Sequence, residues 1–218
     1  MKSLRFATAL AALTLLGGAA ATVATGSVQK DGNPTTTATS DTSEHHDATT
    51  VTTETEHESD TTTEASTDDE TIHDGAGDDN VEVGNGDDTV DVGDGNNHVV
   101  AGNGKDSIHS GRGRDHIEAG DGPDHISAGA GDDDVNAGAG NDDVDGGPGD
   151  DTIEGGAGND RLTGGPGHDH IFGGPGNDVI FAADGERDVV DCGPGHDVVF
   201  ADRSDVLTSC EVVHIKKR

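Results

Sequence analysis

From Asp74 to Phe181 the chain repeats a nine-residue unit twelve times in succession, with no insertion or deletion. Two consecutive copies show the pattern: Gly155-Gly156-Ala157-Gly158-Asn159-Asp160-Arg161-Leu162-Thr163 and Gly164-Gly165-Pro166-Gly167-His168-Asp169-His170-Ile171-Phe172. With each unit numbered one to nine, positions two and four are glycine throughout, from Gly75 to Gly174 and from Gly77 to Gly176. Position six reads Asp79, Asp88, Asn97, Asp106, Asp115, Asp124, Asp133, Asp142, Asp151, Asp160, Asp169 and Asp178, so Asn97 alone departs from aspartate. Position eight is always Val, Ile or Leu.

These residue types restrict the local structure. One aliphatic residue in nine cannot form the stripe of an amphipathic helix. It suits a very short strand over positions seven to nine, with position eight pointing inward and its neighbours outward. The alternate glycines admit backbone conformations closed to residues with a Cβ, so positions one to six form a tight turn that exposes carbonyls. A single unit buries almost nothing, and neighbouring units must stack to build a continuous narrow core.

The pattern Gly-Gly-x-Gly-x-Asp-x-aliphatic-x resembles the RTX, or hemolysin-type, calcium-binding nonapeptide repeat, over Asp74 to about Phe200. The resemblance implies an all-β fold, a right-handed parallel β-roll in which two units make one coil and calcium lies between turns eighteen residues apart. It also assigns ligands by position. One turn offers the carbonyls of positions two and four with the carboxylate of six, and the next turn on that edge offers the carbonyls of one and three with its own carboxylate. Gly84, Gly86 and Asp88 would thus face the carbonyls of Ala101 and Asn103 and the carboxylate of Asp106. By the same rule Gly102 and Gly104, Gly120 and Gly122, Gly138 and Gly140, Gly147 and Gly149, Gly156 and Gly158, and Gly165 and Gly167 are ligand carbonyls beside the position-six residues. Hard oxygen donors at a flexible site suit Ca²⁺ better than Mg²⁺. Asn97 brings an oxygen without charge, so the sites that pair it with Asp79 and with Asp115 are expected to be weaker. About ten same-edge pairs follow, as an upper estimate. The bland reading of position six, an Asp that hydrogen-bonds its own turn, does not call for a companion carboxylate eighteen residues away at every repeat.

After Phe181 the register slips by one residue at Ala182. Ala183–Asp191 keeps Asp188 and Val190 but has Asp184 and Glu186 where glycines belong, so Asp188 is not expected to bind metal. Cys192–Phe200 returns to the pattern, and Asp197 is counted as a ligand although its partner Asp178 is nineteen residues back. Ala65–His73 reads as a degenerate first rung, with Glu70 at position six and Ile72 at position eight.

The flanks have different chemistry. Residues 1–21 read as a secretory signal peptide: Lys2 and Arg5, an apolar run from Phe6 to Leu16, and Ala19-Ala20-Ala21 before a cleavage point, with a cut after Ala24 as the alternative. The apolar run is too short for a membrane span, and none is expected after cleavage. Residues 22–73 read as a disordered linker rich in Thr, Ser, Asp, Glu and His; Asp31–His73 holds fifteen Thr and twelve acids with no Lys or Arg. His45, His46 and His57 are spaced too irregularly for a metal site. Residues 74–200 form the roll and residues 201–218 an apolar cap. Export makes a Cys192–Cys210 disulfide the default pairing, worth about 3 kcal/mol on a chain-entropy estimate.

Charge sets the function class. The chain carries 45 acids against 12 bases, a formal charge of −33, which excludes nucleic acid as a partner and argues for cations. Trp and Tyr are absent, so no ordinary globular core is available. Asp74–Phe200 alone holds 30 acids and five bases. Such a chain is expected to stay expanded without metal and to fold as calcium binds. No constellation of nucleophile and base suggests an enzyme. The leading reading is a secreted calcium-binding repeat protein. The alternative is an extracellular structural or adhesive protein that uses the calcium-rigidified roll as a spacer against a cell surface or matrix. An ice-binding face is set aside, because position seven lacks a regular Thr ladder.

Overall fold

The computed structural model describes residues 37–39, 49–52, 67 and 69–216, and within them every regular element is a β-strand. The signal-peptide stretch and the linker histidines lie outside the described residues. The strands form two facing sheets, one of eleven strands and one of eight, parallel throughout except at Thr37–Thr39, and the repeat units alternate between them. Two successive units therefore close one coil, and residues eighteen apart lie side by side: Ile117 beside Val135 in one sheet, Ile126 beside Val144 in the other. The architecture is the right-handed parallel β-roll.

Position eight points inward in every coil, and Val81, Val99, Ile117, Ile126, Ile153, Leu162, Ile171 and Ile180 are fully buried. A second inward column, beyond what the repeat pattern predicts, runs beside it. The strand's period of two carries past position nine, which faces out, to position one, which faces in. Val83, Val92, Ala101, Ala119, Ala128 and Ala137 are accordingly buried to 1 % exposure or less. This column shrinks along the chain, from Val through Ala to Gly146, Gly155, Gly164 and Gly173.

The turns are drawn together by glycine. At Gly165 (φ +111°) an added Cβ would overlap the carbonyl oxygen of Gly147 in the preceding coil. Position-four amides donate to position-three carbonyls of the next coil, as Gly86 N–H does to Asn103 and Gly158 N–H to Pro175. Proline at position three therefore keeps the one group the stack uses there. Outside these bonds runs a ladder of position-five side chains: Asn159 N–H donates to Asn141 Oδ1, Asn177 N–H to Asn159 and His196 N–H to Asn177. Lys105 offers no acceptor, and the residue one coil on is Pro123, which has no N–H to satisfy.

Both ends extend the roll. Glu70–His73, within the stretch that composition groups with the linker, is a strand with Ile72 at 1 % exposure, paired to Thr89–Gly93. Thr49–Thr52 pairs in parallel with it, and Thr37–Thr39 pairs antiparallel to Thr49–Thr52. The β propensity of Thr fits these short strands. At the other end the extra residue Ala182 is accommodated inside, 1 % exposed, and pairing resumes with His170 beside Val189. The tail adds the strands Val206–Thr208 and Val212–Ile215 as a further coil, so it moves the open end of the roll outward without sealing it. A disulfide joins Cys192 to Cys210.

The glycine requirement separates into two parts by experiment. Gly185 (φ +115°) has nothing within 4 Å of the point where a Cβ would stand, whereas Gly165 has the neighbouring coil. Gly185→Ala should lower stability by roughly 1–3 kcal/mol, the backbone penalty alone. Gly165→Ala should lose distinctly more, because the coils must also part. Thermal melting in calcium, followed by circular dichroism, measures both; equal losses would contradict the close-approach argument.

Candidate metal centre

The tight turns place the position-six residues in two columns, one on each edge of the roll. One column contains Asp79, Asn97, Asp115, Asp133, Asp151 and Asp169; the other contains Asp88, Asp106, Asp124, Asp142, Asp160, Asp178 and Asp197. All are between 0 and 3 % exposed. From Asp88 and Asn97 onward, the Oδ1 of each accepts a hydrogen bond from the backbone N–H of the residue one coil earlier. Asp88 N–H donates to Asp106 Oδ1 at 2.9 Å, Asp106 to Asp124 at 2.8 Å and Asp133 to Asp151 at 2.9 Å. The side chain thus ties coil to coil instead of capping its own turn.

The second carboxylate oxygen is left over. Oδ2 of Asp88, Asp106, Asp115, Asp124, Asp133, Asp142, Asp151, Asp160, Asp169, Asp178 and Asp197 is buried with no hydrogen-bond partner among the described residues. Asn97 reveals what such an atom faces. Its Oδ1 accepts Asp79 N–H in the same way, and its Nδ2 lies 3.4 Å from both Gly93 O and Gly95 O, the position-two and position-four carbonyls of its own turn. Where aspartate replaces it, an anionic oxygen takes the place of that donor beside two carbonyl oxygens. Such a cluster needs an electropositive group.

The predicted glycines occupy adjoining columns. Gly84, Gly102, Gly120, Gly138 and Gly156 succeed one another along one edge at position two, and Gly86, Gly104, Gly122, Gly140 and Gly158 at position four; Gly147 with Gly165 and Gly149 with Gly167 lie on the other edge. In each succession the carbonyl of one glycine is aimed at the next, where a Cβ would strike it. Position one completes the cradle in the later units. The point where a Cβ of Gly146 would stand is 2.6 Å from Asp151 Oδ2 and 2.7 Å from the Gly164 carbonyl; at Gly155, Asp160 Oδ2 and the Gly173 carbonyl are each 2.9 Å away. Carboxylate and carbonyl oxygens of successive coils thus converge on space that glycine leaves free, a donor set suited to a hard cation such as calcium. Among the described residues no group of three His, Cys, Asp or Glu side chains gathers at one point. Main-chain oxygens would therefore supply most ligands.

Four acidic residues continue the columns where the glycine pattern or the nonapeptide spacing fails. Asp188, not expected to contribute, is 0 % exposed, and its Oδ1 accepts Asp169 N–H at 2.9 Å across the nineteen-residue step. Burial of Ala182 absorbs the slip, so the missing glycines do not displace the carboxylate. Asp188 N–H in turn donates to Asp205, and Asp197 N–H to Glu211, which closes the two columns; Glu70 N–H donates to Asp88 Oδ1 at the start. The only sequence cue is an acid two residues before an inward aliphatic: Glu70 before Ile72, Asp188 before Val190, Asp205 before Leu207, Glu211 before Val213.

Among the described residues the outward histidines form no comparable centre. His116 lies 3.3 Å from Glu118 and from Asp134, and His168 Nδ1 is 3.2 Å from the Arg187 carbonyl.

An oxygen-lined parallel β-roll of Gly-Gly-x-Gly-x-Asp turns defines a calcium-binding repeat module. The pattern of the RTX calcium-binding nonapeptide repeat, in its four-copy form, matches residues 64–99, 82–117, 91–124, 109–144 and 145–180. The chain belongs to this family. No curated protein matches it as a relative.

Electrostatics of the columns make the metal-free roll sensitive to pH. Loss of water on burial pushes Asp124, Asp151 and Asp188 up to about 7, and Asp106, Asp133, Asp142, Asp169 and Asp178 up to about 6, from an ordinary 3.8. The N–H from the previous coil opposes the rise, and neighbouring carboxylates such as Asp106 and Asp142 beside Asp124 add to it. A raised carboxyl binds its proton more tightly folded than unfolded. The resulting stability is complete below about pH 4 and disappears as pH climbs through about 6–7. In chelator, β-sheet circular dichroism should therefore be strongest near pH 4 and fade by pH 8. Added calcium should bind more weakly at pH 5.5 than at pH 7.5, because it must displace protons. A metal-free β signal independent of pH would contradict the assignment of buried, partnerless carboxylates.

Proposed function

We propose that the roll binds several calcium ions, each between successive turns of one edge, through the position-six carboxylates of two coils and the carbonyls at positions one to four. The observation that carries this reading is the contrast at Asn97. Its amide nitrogen reaches toward two turn carbonyls, and each aspartate presents an anion at the equivalent point. Calcium supplies the positive charge there, and Asp188 joins the ligand columns with Asp197.

Folding follows from the same chemistry. The 30 acids and five bases of Asp74–Phe200 repel one another, and the two inward columns offer mainly Val, Ile and Ala to oppose the chain entropy. Ion binding and stacking of coils are then one linked step. Extracellular calcium modules work at about 10⁻⁴ to 10⁻³ M. Together with the signal-like residues 1–21, this supports a protein exported unfolded that closes outside the cell, as a binding module and not a catalyst.

Circular dichroism of the chain during a calcium titration, with magnesium as control, tests the proposal. A cooperative gain of β signal in calcium alone is expected; a chain already folded in chelator at neutral pH and indifferent to calcium would overturn it. Asn97→Asp should restore full charge to the pairings with Asp79 and Asp115, lowering the calcium midpoint and raising the number of ions bound in equilibrium dialysis. An unchanged titration would remove Asn97 from the ligand column.

A further inference from the structure

The carboxyl end of the roll is unlike the rest of its surface. In the last coil Val213 and Ile215 stand in register with Val199 and Ala201, which are fully buried, yet they are themselves 42 and 41 % exposed. They occupy the inward columns, and among the described residues no further coil lies over them. Among the described residues the strand Val212–Ile215 pairs on one side only, with Val198–Ala201, and so ends the larger sheet with an open edge. Long parallel stacks need such ends covered, because an apolar strand edge with free N–H and C=O groups is a template for another strand.

The local charge limits what can cover it. Ala201–Arg218 holds three acids and four bases, whereas Asp74–Phe200 holds 30 acids and five bases. The carboxyl end is thus where two copies can approach without facing dense like charge. The end sequence is also self-complementary. Read against a second copy running the other way and centred on His214, Val213 falls opposite Ile215. A cross-strand pair of this kind favours antiparallel association. A lipid surface could cover the apolar side chains but would leave the strand's polar edge unsatisfied.

We propose that a second copy of this chain covers the open end, the two Val212–Ile215 strands pairing antiparallel about His214 in a two-fold, tail-to-tail dimer. Such an interface is isologous and closed, so it stops at two copies. The two sheets become continuous across it, and the inward columns of both rolls meet at Val213 and Ile215.

Cysteine trapping tests the register. Directly opposed residues of an antiparallel pair have Cα atoms about 4.5–5.5 Å apart, within disulfide range. The native cysteines are already joined to each other. In calcium, with β-sheet dichroism established in the same samples, His214→Cys should form a disulfide-linked dimer on mild oxidation. Thr89→Cys, exposed on the same sheet farther along the roll, should stay monomeric. Sedimentation velocity of the unmodified chain should show a concentration-dependent monomer–dimer equilibrium. Ile215→Asp should weaken it by at least about tenfold, since it places a charge in the interface, while the calcium-dependent β signal persists. Monomer at all concentrations, His214→Cys that fails to cross-link, or a monomer that sediments only with anionic phosphatidylglycerol vesicles would each overturn the proposal.

Discussion

One hydrogen bond, repeated along both edges, governs this molecule: a backbone N–H of one coil donates to the Oδ1 of the position-six residue in the next, as from Asp142 to Asp160 at 2.9 Å. It fixes the coil spacing and draws each carboxylate out of water. Only one oxygen of each carboxylate is satisfied in this way. The other is held beside carbonyl oxygens, so the contact that stacks the coils also creates the demand for a cation. The proposed function joins folding and ion binding for this reason. A metal-free roll must instead retain protons on acids raised to about 6 or 7, such as Asp142 and Asp151.

The core that this bond encloses is narrow. Positions eight and one line it, and the second of these diminishes from Val83 and Val92 to glycine by Gly146. The later turns thereby exchange apolar contact for open space into which Asp151 and Asp160 direct an oxygen. The two ends of the array differ in balance as a result: early coils have more hydrophobic filling, later ones a better oxygen cradle. Outside the turns, the Asn and Asp ladder through Asn141, Asn159 and Asn177 adds a further set of coil-to-coil bonds.

Much of this is legible in the sequence because the period is strict. Glycines at positions two and four, aspartate at six and aliphatics at eight identify the coil, its inward column and the buried carboxylate columns, and the two cysteines, eighteen residues apart, lie one coil apart. What the sequence hides depends on alternation or on space. Position one varies from Val to Ser to Gly, and so its inward direction is masked by its own diversity. Asp188 lacks the expected glycines, and Asp205 and Glu211 sit at shortened intervals. The place of Asp188 in its column follows from how the chain absorbs Ala182 inside the roll. The position-five ladder has the look of scattered outward polarity in one dimension, because the bond that unites it links residues a full coil apart.

The Cys192–Cys210 bond spans successive coils, from buried Cys192 in the position-one column to half-buried Cys210. Tension applied at the carboxyl terminus reaches Cys210 and passes through the covalent bridge to Cys192, bypassing the hydrogen bonds of the coil between them. That coil is shielded from peeling. Under load from the carboxyl end, only the strand Val212–Ile215, which lies beyond Cys210, is left to peel before the bridge carries the force.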